Sequence, residues 1–89
     1  MVSVAFTPNL ERILACPAGD YPGDTVGAVL EAAFAEKPKV RAYVLDDQGH
    51  VRKHIMVFVN EHQLADRADL SDAVAPGDRI FVMQALSGG

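Results

Sequence analysis

The feature that most constrains this chain is a single amphipathic helix set among segments that read as β-strands. The apolar residues of this segment recur at helical spacing and define one face: Val26, Val29, Leu30, Ala33 and Phe34. Asp24 is placed to cap the helix with a side-chain acceptor, and Pro38 ends it because proline disfavours helical geometry at Lys37. A lone helix buries such a stripe by packing across one face of a single sheet.

Several short segments predict the strands of that sheet. "VSVAF" (2–6) alternates apolar and small residues, as a half-buried strand does. A second strand is placed loosely within 13–21, where Pro17 and Gly19 restrict it to an edge or bulged position. "VRAYVLDDQGHVRKHI" (40–55) has two short apolar runs around a turn-rich centre, which predicts a hairpin.

The last third of the chain predicts one more pair of strands. "MVFVN" (56–60) and "RIFVMQAL" (79–86) have strand composition, and "ADLSDAV" (68–74) between them fits one short helical turn with Asp69 near its start. "APGD" is a turn signal, because Gly77 accepts a positive φ. The long intervening segment disfavours a hairpin, so we expect the last strand to lie beside the first in the middle of a mixed sheet.

Length, charge and cysteine content narrow the classes of function. A chain of 89 residues suits one domain with one modest core. Cys16 is the only cysteine, which excludes an internal disulfide and fits a reducing, cytoplasmic compartment. We expect no membrane partner, because no stretch approaches the roughly 20 apolar residues of a span. We expect no nucleic-acid partner either, because the net charge is -4 and there is no basic patch.

The polar residues form no conventional catalytic constellation. His50, His54 and His62 lack a cysteine or carboxylate at metal-ligand spacing and fit solvated side chains. Cys16 has no neighbouring cation to activate its thiol, and Asp46 lies in a turn, where aspartate bonds its own backbone. No glycine pattern matches a phosphate-binding loop. The sequence therefore predicts a protein that is not an enzyme and that holds no metal and no cofactor of its own.

The chain ends in Gly88-Gly89, directly after a strong strand. Two residues without side chains can thread a narrow channel and bring an α-carboxylate to a remote active site. Taken alone, the pair fits equally well a terminus without a function, since chain ends are commonly unstructured.

Three stretches carry a resemblance to a known family: "PGDTVGAVLEA", "VFVNEHQL" and "VAPGDRIFVMQALSGG". They resemble the ubiquitin-like sulfur carriers of the MoaD/ThiS type, and the segment 40–55 is more like the molybdopterin and cysteine-biosynthesis branch than the thiamine branch. One departure is "MQALS", where many relatives carry a proline before the glycines. The resemblance implies an α+β, β-grasp fold: a mixed four- to five-stranded sheet with one main helix over 1–86, followed by a flexible tail, 87–89.

The resemblance also implies a mechanism and two partners. An ATP-dependent adenylyltransferase of the ubiquitin-activating type would adenylate the Gly89 carboxylate, with Gly88 giving reach. A sulfur donor would convert the adenylate to a thiocarboxylate, and a sulfur-accepting synthase would receive the sulfur. Two alternatives stay open: a protein modifier conjugated through Gly89, and a ubiquitin-like interaction module. A metal or nucleotide binder is a remote third.

Strand alternation predicts where a partner would bind. If Ile80 and Val82 face the helix, Phe81 and Met83 turn outward. Val57 and Val59 would then face the core, with Phe58 on the same open side as Phe81. We therefore expect Phe58, Phe81 and Met83 to form the partner-binding face. The arrangement fails if the parity is reversed or if the segment 40–55 covers these side chains.

Overall fold

The computed structural model describes residues 1–7 and 18–84, so Cys16 and the Gly88-Gly89 tail lie outside the described residues. Its seven elements, in chain order, are β1 (Val2–Phe6), β2 (Gly19–Tyr21), α1 (Val26–Glu36), α2 (Pro38–Val44), β3 (Ile55–Val59), β4 (His62–Gln63) and β5 (Arg79–Gln84).

The five strands form one mixed sheet in the order β2-β1-β5-β3-β4. The first and last strands pair in parallel, with Val4 opposite Ile80 and Phe6 opposite Val82. All other pairs are antiparallel. The structure thus confirms that the last strand lies beside the first in the centre, and that the second strand occupies an edge.

The core lies between the inner face of the sheet and the two helices. All five residues of the predicted helical stripe are buried. The four larger ones pack against the inward side chains of the three central strands: Val2, Val4, Phe6, Ile55, Val57, Ile80 and Val82. The stripe therefore predicted the packing of α1 correctly.

The residue that caps α1 is Thr25, so the prediction that Asp24 caps it was wrong. Thr25 has an extended backbone (φ -134°, ψ 159°), and its Oγ1 accepts a hydrogen bond from Ala28 N at 3.1 Å. Asp24 lies one residue too early, and its backbone carbonyl accepts instead from Val74 N at 3.0 Å. Two adjacent residues were both suitable caps, and the tie between Asp24 and Val74 fixes which one starts the helix.

The predicted hairpin at 40–55 was wrong in its first half, which is helical. Pro38 ends α1 as expected but also opens α2, where proline suits the first helical position. Val40 and Val44 are buried at i,i+4 spacing. Only an isolated bridge, Leu45 with Val51, remains of the predicted strand pairing.

The turn at the centre of that segment was predicted correctly. The Asp46 carboxylate accepts from Gln48 N at 2.9 Å and from His50 N at 3.0 Å. These bonds, chiefly that from His50 N, lower the pKa of Asp46. Gly49 completes the turn at φ 81°.

A single turn forms earlier than the predicted segment 68–74: Leu70 N donates to Asp66 O at 3.0 Å, so the turn starts at Asp66, and Asp69 lies inside it. Asp66 organises the loop instead, because its carboxylate accepts from Ala68 N, from Asp69 N and from both the amide and the hydroxyl of Ser71. Leu70, buried at φ 53°, then accepts from Gly27 N through its carbonyl and ties the loop to the start of α1.

Candidate partner-binding face

Strand β5 presents two different sides. Ile80 and Val82 are 1% and 0% exposed and belong to the core, whereas Phe81 is 37% exposed. Met83, two residues further on, is half-buried on the same side as Phe81. The predicted parity of the last strand is confirmed.

Strand β3 follows the same parity. Val57 is buried, and Val59 is partly buried and packs against the core. Met56 and Phe58 alternate with them and are half-buried. Both therefore point to the side of the sheet opposite the helices, as predicted for Phe58.

The strand register brings the three predicted side chains together. Phe58 lies directly opposite Phe81, and Met56 lies opposite Met83. The segment 40–55 does not cover them, because Val40 and Val44 hold α2 in the core on the other side of the sheet. Phe58, Phe81 and Met83 are named here the open-face patch.

A shallow depression of about 400 Å³ lies over this patch. Besides the three patch residues, it is lined by Ser3, Ala5, Asn60, Arg79 and Ile80. Ala5 is opposite Phe81 on β1 and, having almost no side chain, leaves the phenylalanine ring accessible from that side. Met56, Ala5 and Arg79 were not predicted to contribute to this face. Met56 shares its parity with Phe58, so the alternation itself was the signal for it.

The histidines are not gathered into a site. His54 makes an edge-to-face contact with Tyr43, with ring centroids 5.9 Å apart, while His62 is exposed on the edge strand β4. Across residues 1–7 and 18–84, no three His, Cys, Asp or Glu side chains are placed to hold a metal ion. In the same part of the chain, no helix is long and apolar enough to cross a membrane.

The last described residues are those of β5. β5 ends at Gln84, which pairs with Ile55 at the start of β3. Gly88 and Gly89 lie beyond it, outside the described residues, so their role stays a prediction from the sequence.

A family model described as the ThiS family matches residues 18–89, from β2 through the two terminal glycines. The chain belongs to the ThiS family. Small archaeal modifier protein 1 of Haloferax volcanii is 35% identical to it over 71 residues, 79% of this chain and 77% of that protein. Sulfur carrier protein CysO of Mycobacterium tuberculosis is 28% identical over 69 residues, 75% of this chain and 74% of that protein.

Solved structures show that this ThiS-family chain has the β-grasp fold. One chain in the crystal structure of the Amycolatopsis orientalis BexX/CysO complex matches with a TM-score of 0.82 at 21% identity, and the match covers 100% of this chain and 100% of that one. The relatives of this chain are small sulfur carriers and modifiers rather than catalysts. The predicted fold is confirmed, with α2 as an added second helix.

Proposed function

We propose that this protein is a sulfur carrier whose Gly89 carboxylate is adenylated and then converted to a thiocarboxylate. The observation that supports this most is the extent of the ThiS-family match, which runs through Gly88-Gly89. The last strand ends at Gln84, five residues before the terminus. Five extended residues span up to about 17 Å, enough to reach into an active site that the domain itself does not enter.

The proposed chemistry needs nothing from this chain except its carboxylate. A Gly89 carboxylate oxygen attacks the α-phosphorus of ATP, and pyrophosphate leaves. A sulfide-level donor then attacks the carbonyl carbon of the acyl adenylate, the bond to AMP breaks, and a thiocarboxylate remains. An activating enzyme supplies ATP and catalysis, and a synthase takes the sulfur. The chain is a substrate in this scheme, and Gly88 leaves the channel unobstructed.

The open-face patch is proposed to hold the chain on these partners. Phe81 and Met83 lie on β5, the strand that leads into the tail, and Phe58 lies beside them. Aromatic side chains on an otherwise polar surface are typical anchors of protein interfaces. Because patch and tail share one strand, a single enzyme surface can bind the patch while its channel takes the tail.

A modifier role is the second candidate, favoured by the 35% identity to small archaeal modifier protein 1. Both roles begin with adenylation of the terminal carboxylate, and they diverge only in the acceptor. A conjugated modifier would yield an isopeptide adduct with a target lysine, whereas a carrier yields a free thiocarboxylate. A simple interaction module, the third alternative, would keep its partner affinity without the tail.

The intact mass of the protein from its own cells tests the carrier role. We expect a species heavier by one oxygen-to-sulfur exchange, alkylated by iodoacetamide at Gly89 and not at Cys16. The chain lacking Gly88-Gly89 is the control, and it should keep the unfolding midpoint of the full chain but lose adenylation. An unmodified mass after incubation with ATP, an activating enzyme and sulfide would contradict the proposal.

A further inference from the structure

Arg79 borders the open-face patch and differs from the other arginines of the described chain. Arg41, Arg52 and Arg67 each donate from the guanidinium: to Glu31 Oε1 at 3.0 Å, to Ala42 O at 3.0 Å, and to Arg52 O and Ile55 O at 2.7 and 2.8 Å. Within residues 1–7 and 18–84, the guanidinium of Arg79 donates no hydrogen bond and joins no ion pair, and the residue is exposed.

The backbone of Arg79 is held firmly although its side chain is unpaired. Asn60 N donates to Arg79 O at 2.7 Å, and Arg79 N donates to Asn60 Oδ1 at 3.0 Å. Asn60 adopts φ 56°, a conformation that asparagine tolerates better than most residues, to close this double contact. The charged side chain of Arg79 thus extends from a fixed backbone position, two residues before Phe81 and on the same side of the sheet.

Asp20, a carboxylate two strands away on this face, does not neutralise Arg79. Across the sheet, Arg79 lies opposite Ser3, and Ser3 lies opposite Asp20 on β2. Neighbouring strands are about 4.8 Å apart, so the backbones of Arg79 and Asp20 are separated by about 10 Å. No ion pair joins them. Within the described residues, the open face therefore presents an apolar centre with one uncompensated guanidinium, that of Arg79, on its border.

We propose that Arg79 pairs with a carboxylate on the activating enzyme, at the border of the surface that covers the open-face patch. This inference rests on the proposed carrier function. Guanidinium groups bind carboxylates through two parallel hydrogen bonds, so such a pair fixes orientation as well as adding attraction. It would set the rotation of the domain about the patch, and hence the direction in which β5 sends the tail.

A second copy of the chain is a poorer fit for this face. Only a two-fold axis along β1 would bring Asp20 of one copy over Arg79 of the other, since Ser3 lies midway between them. Phe58, on the far side of β5, would then project beyond β2, the edge strand of the described sheet of the other copy. Among the described residues, a two-fold axis that pairs these charges therefore leaves Phe58 without a covering surface.

Carbodiimide coupling of an Arg79→Lys variant to the activating enzyme tests the pairing directly. The activating enzyme used is the one that supports ATP–pyrophosphate exchange with the unmodified chain. We expect a zero-length cross-link between residue 79 and an Asp or Glu of the enzyme, located by mass spectrometry. Lys39, exposed on α2 across the molecule, is an internal control and should not cross-link.

Exchange kinetics provide the matched functional test. Arg79→Glu should raise the KM for the carrier at least about tenfold with kcat within about twofold, as expected for a close charge pair. Lys39→Glu makes the same charge change on the helix side and should leave KM unchanged. Replacing the cross-linked carboxylate by lysine should restore the KM of Arg79→Glu.

The possible failures are distinguishable. No exchange with the unmodified chain overturns the carrier function, and the inference falls with it. Normal exchange that Phe81→Asp weakens and Arg79→Glu does not would overturn the inference alone. Equal effects of Arg79→Glu and Lys39→Glu would also overturn it, because they would show a general effect of net charge. A cross-link to Asp20 of a second copy would assign the face to a dimer instead.

Discussion

At the scale of single residues, adjacent positions of β5 have opposite surroundings. Ile80 is 1% exposed in the core, and Phe81 is the large apolar side chain that the same strand turns to solvent. Placing a carboxylate at position 80 puts a charge where nothing can pair with it, whereas at position 81 the charge meets water. Substitutions at these two positions can therefore distinguish an effect on folding from an effect on binding.

We expect Phe81→Asp to leave the unfolding midpoint nearly unchanged and to abolish measurable binding to the activating enzyme. Ile80→Asp should instead unfold the domain or destabilise it by more than about 3 kcal/mol. Urea unfolding followed by circular dichroism, together with a binding titration, checks both variants. A collapsed Phe81→Asp chain would contradict the assignment of this side chain to the surface.

The carboxyl group of Asp66 makes the free energy of unfolding depend on pH in the acidic range. Its carboxylate accepts the Ser71 hydroxyl and three amides of the loop, chiefly that of Asp69, which lowers its pKa from 3.8 to about 2. A carboxyl whose pKa is lower in the folded state stabilises the fold above its unfolded pKa. That contribution is lost as pH falls from 3.8 to about 2.

Replacing Asp66 by Asn keeps one acceptor oxygen and removes the charge. We expect a lower unfolding midpoint at pH 7 and a flatter dependence of the midpoint on pH between about 4 and 2. Thermal unfolding across this range is the measurement. Asp47→Asn, an exposed carboxylate in the 46–49 turn, is the charge-matched control and should keep the slope of the unmodified chain. Identical slopes for the two variants would show that Asp66 does not contribute to the pH dependence of the unfolding midpoint.

At the scale of elements, the start of α1 depends on a single hydroxyl. Thr25→Ala removes the acceptor for Ala28 N and should cost about 1 kcal/mol of unfolding free energy. Asp24→Ala removes only a carboxylate near the helix terminus and should cost less, about 0.5 kcal/mol. Urea unfolding of the two variants ranks them. A larger loss for Asp24→Ala would return the capping role to that residue.

The elements also show which patterns the sequence resolves. The stripe of α1 recurs at helical spacing from Val26 to Phe34 and could be read as nothing but a helix. Val40, Ala42 and Val44 alternate over only five residues, so they fit a strand as well as the short helix α2 that they form. Pro38 was read as a stop, and its equal suitability for a first helical position was the signal for α2.

The residues of the candidate site also differ in whether the sequence could predict them. Alternation along each strand was sufficient to place Phe58 and Phe81 outward. Alternation with Phe81 already places Arg79 on the open face. Its position opposite Asn60 and Ser3 is a register set by pairing between distant segments. No local pattern in the sequence contains the register with Asn60 and Ser3, so the absence of a partner for the Arg79 guanidinium among the described residues could not be predicted.

At the scale of the whole molecule, the centre of the sheet is formed by the first and last strands of the described chain. β1 and β5 pair in parallel at the centre, flanked by β2 and β3, while the two-residue β4 lies at an edge. Central pairing of this kind requires the two ends of the domain to be in place together. Segments at the edge can open without breaking it.

Protection of the backbone amides from hydrogen exchange should therefore decrease from the centre of the sheet to its edge. We expect hydrogen-bonded amides of β1, β3 and β5 to exchange only by global unfolding, and those of β4 to exchange through local opening at a lower free energy. Native-state exchange followed by NMR, with increasing denaturant, distinguishes the two regimes. Protection of β4 equal to that of β5 would show that the sheet opens as a single unit.

The parallel pairing of β1 with β5 has a practical consequence for how the protein is handled. Met1 lies level with Gly77, to which its carbonyl is hydrogen-bonded, whereas Gln84 lies about seven strand residues further along, roughly 20 Å away. An affinity label, a fluorophore or a sensor-surface linkage at Met1 would leave the molecule from the end opposite the one where β5 leads into the tail. Immobilisation at that point should leave the end of β5 that leads into the tail accessible to an enzyme in solution.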